Sequence, residues 1–130
     1  MTIEDEIATG NKEFCAALGA HDLDGLMACY DDDVVLLLPG VPIIHGADGA
    51  RAYYDQVMKA GVTGATMTTD TVVERADCVV EVGGYTMDVA PPEGDPVHDA
   101  GKYQIVYRRD DSGRLRIWFD MFHSDAAAAN

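Results

Sequence analysis

Basic residues are what this chain most lacks: nine Lys and Arg stand against 23 Asp and Glu, a formal net charge of −14 at pH 7. A surface of that sign repels phosphate backbones and anionic headgroups, so neither nucleic acid nor a membrane is an expected partner. Long apolar runs are missing too. No stretch approaches the roughly 18–20 residues that cross a bilayer, and the opening Met1-Thr-Ile-Glu-Asp-Glu is acidic where a secretory leader would be basic. Cysteine is sparse and odd in number. Cys15, Cys29 and Cys78 sit inside apolar patterns and read as reduced core thiols, with no C-x-x-C pair for zinc. The four histidines, His21, His45, His98 and His123, share no metal-binding spacing, and Asp31 to Asp33 lacks the glycine and terminal glutamate of a calcium loop. The expectation is a cytoplasmic protein with no metal and no cofactor.

What is present suffices for one core. With 130 residues and 48% apolar content, the chain suits a single domain over residues 1–130. Thr2 and Asp5 have capping-box spacing, and Ile3, Ile7, Phe14 and Leu18 follow at helical intervals. Asp22 caps a second short helix carrying Leu23, Leu26, Met27 and Tyr30, which the Asp31-Asp32-Asp33 run ends as a turn. Val34 to Leu38, closed by Pro39-Gly40, is predicted as a covered strand, and Gly46 and Asp48 open a third helix that stops at Gly61. Thr63–Arg75 and Cys78–Val89 read as strands, Pro91 to Asp99 as an exposed loop. Gly101–Arg109 and Arg114–His123 form a hairpin about Asp110-Asp111-Ser112-Gly113. Ala126 to Asn130 is expected to fray.

Alternation along the last strand puts Leu115, Ile117, Phe119 and Met121 on one face and Arg116, Trp118, Asp120 and Phe122 on the other. Neither face is wholly polar. A second copy of the sheet is the simplest cover for the outer one, hence an expected homodimer. Phe14, Tyr30, Tyr54, Met58, Met67, Trp118 and Phe122 either line a pocket for a flat, largely apolar ligand or simply fill the core. Asp120, set between Trp118 and Phe122, is the sharpest candidate for chemistry, because aromatic surroundings raise a carboxyl's proton affinity toward that of a general base. A register pairing Gly101 with Met121 would instead set Lys102 beside Asp120 in a structural ion pair. His123 either shuttles a proton with Asp120 or caps the strand at the surface.

The helix pair with Ala20-His-Asp-Leu-Asp-Gly25, the run Tyr30-Asp-Asp-Asp-Val34, Gly46 before the third helix and Tyr53-Tyr54 within it resemble ketosteroid isomerase. Gly101-Lys-Tyr103 and Gly113 to Ser124 resemble the SnoaL-like and DUF4440-type members of the same nuclear-transport-factor-2-like (NTF2-like) superfamily. The resemblance implies an α+β fold of the cystatin-like, NTF2-like kind: a cone-shaped, curved, mixed or antiparallel sheet wrapped around three helices, as an α+β barrel. Carried over by position, the isomerase's oxyanion tyrosine falls on Phe14, its general base on Leu38, and its second oxyanion acid near Gln104 or Ile105. Only Tyr54 keeps a hydroxyl. A true steroid isomerase is therefore not implied. Asp120 resembles the last-strand aspartate that serves SnoaL-like cyclases as acid/base. Two functions stay open: a cofactor-free isomerase, cyclase or lyase on an apolar carbonyl compound, with Tyr54, Gln104 or Lys102 orienting the oxygen, or a non-catalytic module that binds a hydrophobic ligand or associates as a dimer.

Overall fold

The computed structural model describes residues 1–126. Helix α1 (Ile3–Gly19) starts where expected, with the Thr2 hydroxyl accepting from Asp5 N and the Asp5 carboxylate accepting from Thr2 N, a complete capping box. Helix α2 (Leu23–Met27) takes its cap from Asp22, and α3 spans Gly46–Lys59. Their stripes bury Ile7, Leu18, Leu26, Ala50, Tyr54 and Met58 against the sheet. His21, at φ 56°, turns the chain between α1 and α2, and its ring reaches the Val62 carbonyl at 2.5 Å. None of these helices is long and apolar enough to cross a membrane.

Six strands, β1 (Tyr30–Leu37), β2 (Ile44–His45), β3 (Val62–Glu74), β4 (Val79–Val89), β5 (Val97–Arg109) and β6 (Leu115–Ser124), form one sheet in the order β2-β1-β6-β5-β4-β3. Strands β3 to β6 run as an antiparallel meander, and β1 joins β6 in parallel. The sheet curves over the helices without closing, which is the expected mixed α+β architecture.

Several local expectations are corrected. Tyr30 opens β1 rather than ending α2, and Asp31 to Asp33 are strand residues. They still behave partly as a turn: the ladder to β6 slips between Tyr30 and Val35, and Asp33 N bonds Asp31 Oδ1 at 2.9 Å. Arg108 compensates the charge there, gripping Asp31 through two bonds of 2.7 Å. Strand β5 begins at Val97, inside the stretch read as a loop, because Val97 to Ala100 pair with Thr86 to Val89. The short strand β2 had no sequence signal. The fraying expected of Ala126–Asn130 falls, for 127–130, outside the described residues.

The largest correction concerns β6. Gly101 faces Ser124, not Met121, so Lys102 lies opposite His123 and pairs with Asp125 at 2.5 Å instead of Asp120. Val106 faces Phe119 while Tyr107 faces Ile117, which leaves Trp118 as the extra residue of a bulge. The alternation changes frame across that bulge. Leu115, Ile117, Asp120 and Phe122 face the helices, whereas Arg116, Trp118, Phe119, Met121 and His123 face outward. Trp118 there stacks beneath the Arg108 guanidinium, 4.4 Å from its ring centre.

Candidate functional site

The inner face of the sheet is built by crossing rows. Leu36, Asp120, Ile105 and Glu81 are consecutive neighbours on β1, β6, β5 and β4. Two of those four are carboxylates, and both are almost wholly removed from water, Asp120 at 4% and Glu81 at 0% exposure. Burial of charge on that scale demands partners.

Asp120 obtains one from β1. The Tyr30 hydroxyl donates to its Oδ2 at 2.7 Å and lies 2.6 Å from the Tyr54 hydroxyl of α3. Tyr30 has a single hydroxyl proton, committed to Asp120, so Tyr54 must donate to Tyr30. Both phenols are held well above their usual range, by burial first and by the Asp120 charge second, and remain donors. Phe14 packs edge-on to both rings, with centroids 6.0 and 6.1 Å away, and fixes the pair from α1.

The second oxygen is left for a ligand. Asp120 Oδ1 has no hydrogen-bond partner among the described residues, yet no side-chain oxygen there is both sealed and unpaired, so Oδ1 keeps surface open to the adjoining cavity. That cavity, of about 70 Å³, lies between α1, α3 and the sheet, with Phe14, Val57, Met67, Met87, Ile105 and Phe122 as its apolar walls. The Asp120 carboxyl is pushed up to about 6, chiefly by burial, with the Glu81 charge adding and the Tyr30 hydrogen bond opposing. Near neutral pH it can therefore both give and take a proton.

Tyr53 also borders the cavity, and its hydroxyl has no partner among the described residues. Burial, then the Asp120 charge, raises its phenol and keeps the proton on. Tyr53, next to Tyr54 on α3, was not among the site residues expected from the sequence. Both tyrosines reach the site, their rings packed edge to face at 5.1 Å.

Among the residues expected here, Phe14, Tyr30, Tyr54, Met67, Phe122 and Asp120 do meet at or beside the cavity. Met58 is buried in the core beneath α3 without lining it. Leu38 belongs to a shallow apolar hollow with Val41, Ile43 and Met121. Lys102, Gln104, Trp118 and His123 lie on the outer face, where the β5–β6 register and the bulge put them, so no lysine, glutamine or histidine from these strands joins Asp120. His123 is exposed at the surface and touches only the Ser124 carbonyl, at 3.2 Å.

Glu81 was not anticipated at all. Its Oε2 accepts from Asn11 Nδ2 at 3.0 Å, Thr69 Oγ1 at 2.7 Å and the Tyr103 hydroxyl at 2.5 Å, and its Oε1 from the Tyr107 hydroxyl at 2.7 Å. Glycines make room for this. Gly83, opposite Tyr103, lets that ring lie flat toward Glu81, and Gly101, opposite Tyr85, does the same for the phenol that bonds Asp99 at 3.0 Å. A Cβ on either glycine would overlap the tyrosine ring. A lone glutamate within Val79-Val80-Glu81-Val82 was the available signal.

Residues 11–118 match the family model of the SnoaL-like domain. The chain belongs to that family. No curated protein matches it significantly. Among solved structures, a ketosteroid isomerase-like protein from Erwinia carotovora atroseptica superposes with a TM-score of 0.82 at 19% identity, over 97% of this chain and 100% of the other. An NTF2-like protein with a cystatin-like fold from Novosphingobium aromaticivorans gives 0.79 at 15% identity, covering 97% and 84%. An NTF2-like superfamily protein from Salmonella enterica serovar Typhimurium gives 0.79 at 14%, covering 96% and 92%. At these identities the likeness establishes the fold of the SnoaL-like domain, the cystatin-like, NTF2-like one, and not a reaction.

Proposed function

We propose that this SnoaL-like protein is a cofactor-independent isomerase, cyclase or lyase acting on a small apolar carbonyl compound, with Asp120 as acid/base. The observation that carries it is the buried Asp120 carboxyl, tied at Oδ2 by Tyr30 and open at Oδ1 to an apolar cavity. In the shared first step, Oδ1 takes the proton from the carbon beside the carbonyl, and the C–H electron pair moves through the new C=C bond onto the carbonyl oxygen. Tyr53, with its free hydroxyl, is the donor placed to hold that oxyanion. The protonated Asp120 then returns the proton to carbon or, in a lyase, to the leaving group. Tyr54 serves through Tyr30, as the donor that fixes it.

The cavity's size bounds the substrate. At about 70 Å³ it is smaller than the roughly 150 Å³ apolar cavity that admits benzene. A ligand of that size or larger requires the flexible Met67 and Met87 side chains to yield. Exchange of α-protons for deuterium in cyclohexanone and in butanone, followed by NMR, tests the proposal. Catalysed exchange in the wild type that is lost in Asp120→Asn supports it. No exchange, or equal exchange in the variant, overturns it.

The alternative, a module that holds a hydrophobic ligand without turnover, is favoured by the small number of polar groups around the cavity. Retention of an apolar ligand in native mass spectrometry, with no exchange, would select it. For assembly we propose a homodimer through the outer face, where Val73, Val82 and Met121 are exposed and Val80, Val106, Trp118 and Phe119 half-buried. A monomeric mass by sedimentation at micromolar concentration would refute it. The three free thiols favour a reducing, cytoplasmic setting.

A further inference from the structure

The inner face carries a second acid that the proposed reaction does not use. Glu81 lies on the same cross-strand row as Asp120, with only Ile105 between them. At the usual strand spacing this sets the two backbones about 10 Å apart. The groups around the pair are phenols, an amide and a hydroxyl. Asp120 is faced by Tyr30 from β1, Tyr53 and Tyr54 from α3 and Tyr107 from β5, Glu81 by Asn11 from α1, Thr69 from β3 and Tyr103 and Tyr107 from β5. No arginine, lysine or histidine bonds either acid among the described residues.

The two acids differ in what surrounds them. Four donors converge on Glu81, three at Oε2 and one at Oε1, the pattern of a carboxylate that accepts and does not donate. Asp120 receives one donor and keeps one oxygen open to the cavity. Unequal solvation of two neighbouring acids separates their roles, one fixed and one exchanging.

We propose that Glu81 is a positioning residue of the Asp120 site: a negative charge fixed by four donors on Asp120's own row, which makes Asp120 the member of the pair that carries the exchangeable proton. The proposal rests on the acid/base role given to Asp120 and adds the group that tunes it. Tyr107 records both charges: its phenol is pushed up by burial first, then by Glu81, and also by Asp120. The pair also defines the ligand. A fixed negative charge behind Asp120, with no cation paired to either acid among the described residues, disfavours a substrate bearing its own carboxylate or phosphate, and selects an uncharged carbonyl compound.

The test is a carbon-13 NMR titration of the Asp120 and Glu81 side-chain carboxyls. In the wild type, Asp120 Cγ is expected to titrate near pH 6. Glu81→Gln removes the charge but keeps an acceptor and donors, and the hydroxyls of Thr69, Tyr103 and Tyr107 can rotate to meet it. It is expected to lower the Asp120 midpoint by about one pH unit, a roughly tenfold loss of proton affinity. An unmoved midpoint in folded Glu81→Gln, or a Glu81 that titrates with or above Asp120 in the wild type, overturns the proposal. Should the variant fail to fold, the wild-type Glu81 titration decides alone. Cyclohexanone exchange is a separate readout: its absence would remove the catalytic role of Asp120 and leave the shift in its midpoint intact.

Discussion

The Tyr30 hydroxyl stands 2.7 Å from Asp120 Oδ2 and 2.6 Å from the Tyr54 hydroxyl, so a single phenol from β1 links the acid of β6 to helix α3. Replacing Tyr30 by Phe removes the one side-chain hydrogen bond that Asp120 accepts among the described residues, and takes from Tyr54 its acceptor there. The Asp120 midpoint should rise above about 6, and stability should fall by about 1–3 kcal/mol, the cost of an unpaired buried hydroxyl. NMR titration and urea denaturation measure the two effects separately.

Asp120 itself should cost stability at neutral pH. Its folded value of about 6 lies above the ordinary 3.8, so between these the native state binds more protons than the unfolded chain, and stability falls as pH rises through that window. Asp120→Asn should therefore be more stable than the wild type at pH 7, by about 1–3 kcal/mol. The advantage should vanish below about pH 4, where both states of the wild type are protonated. Denaturation curves from pH 3.5 to 7.5 give the comparison.

Tyr53→Phe removes a hydroxyl that bonds nothing else among the described residues. Its stability should change by less than about 1 kcal/mol. Carbonyl exchange should drop about 100-fold, the size of effect that follows loss of one oxyanion donor. An unchanged rate would take Tyr53 out of the site.

Gly83→Ala would drive a methyl group into the Tyr103 ring and the Thr68 carbonyl. The ring must lift, and its hydroxyl must leave Glu81. A loss of about 2–4 kcal/mol is expected in thermal or chemical denaturation, within the range for overpacking combined with a broken buried bond.

Much of this molecule was legible from residue patterns because the signals were local. The Thr2–Asp5 cap, the stripe from Ile7 to Leu18, the Asp110 to Gly113 turn and the apolar run after Asp33 each report on a few neighbouring residues, and the structure has the corresponding elements. The family pattern added the curved sheet wrapped around three helices. What failed was pairing. Whether Gly101 meets Met121 or Ser124 depends on where the hairpin turns, which sets Arg109 opposite Leu115, and on a one-residue bulge that no residue type at Trp118 or Phe119 announces, and on that register hung the roles imagined for Lys102, Gln104, Trp118 and His123. Glu81 escaped for a related reason: its four donors come from α1, β3 and β5, far apart in sequence and adjacent only once the sheet has formed.

The extra residue at Trp118 carries a consequence for any chain of this design. Because strand positions alternate, the bulge works as a parity bit between Ile117 and Asp120: two residues separate them, and a plain strand would put them on opposite faces. Drawing both Trp118 and Phe119 into a regular ladder, with no residue lost, would turn the acid toward water and roll Met121 beneath the helices, emptying the hollow of its acid while leaving the sequence unchanged.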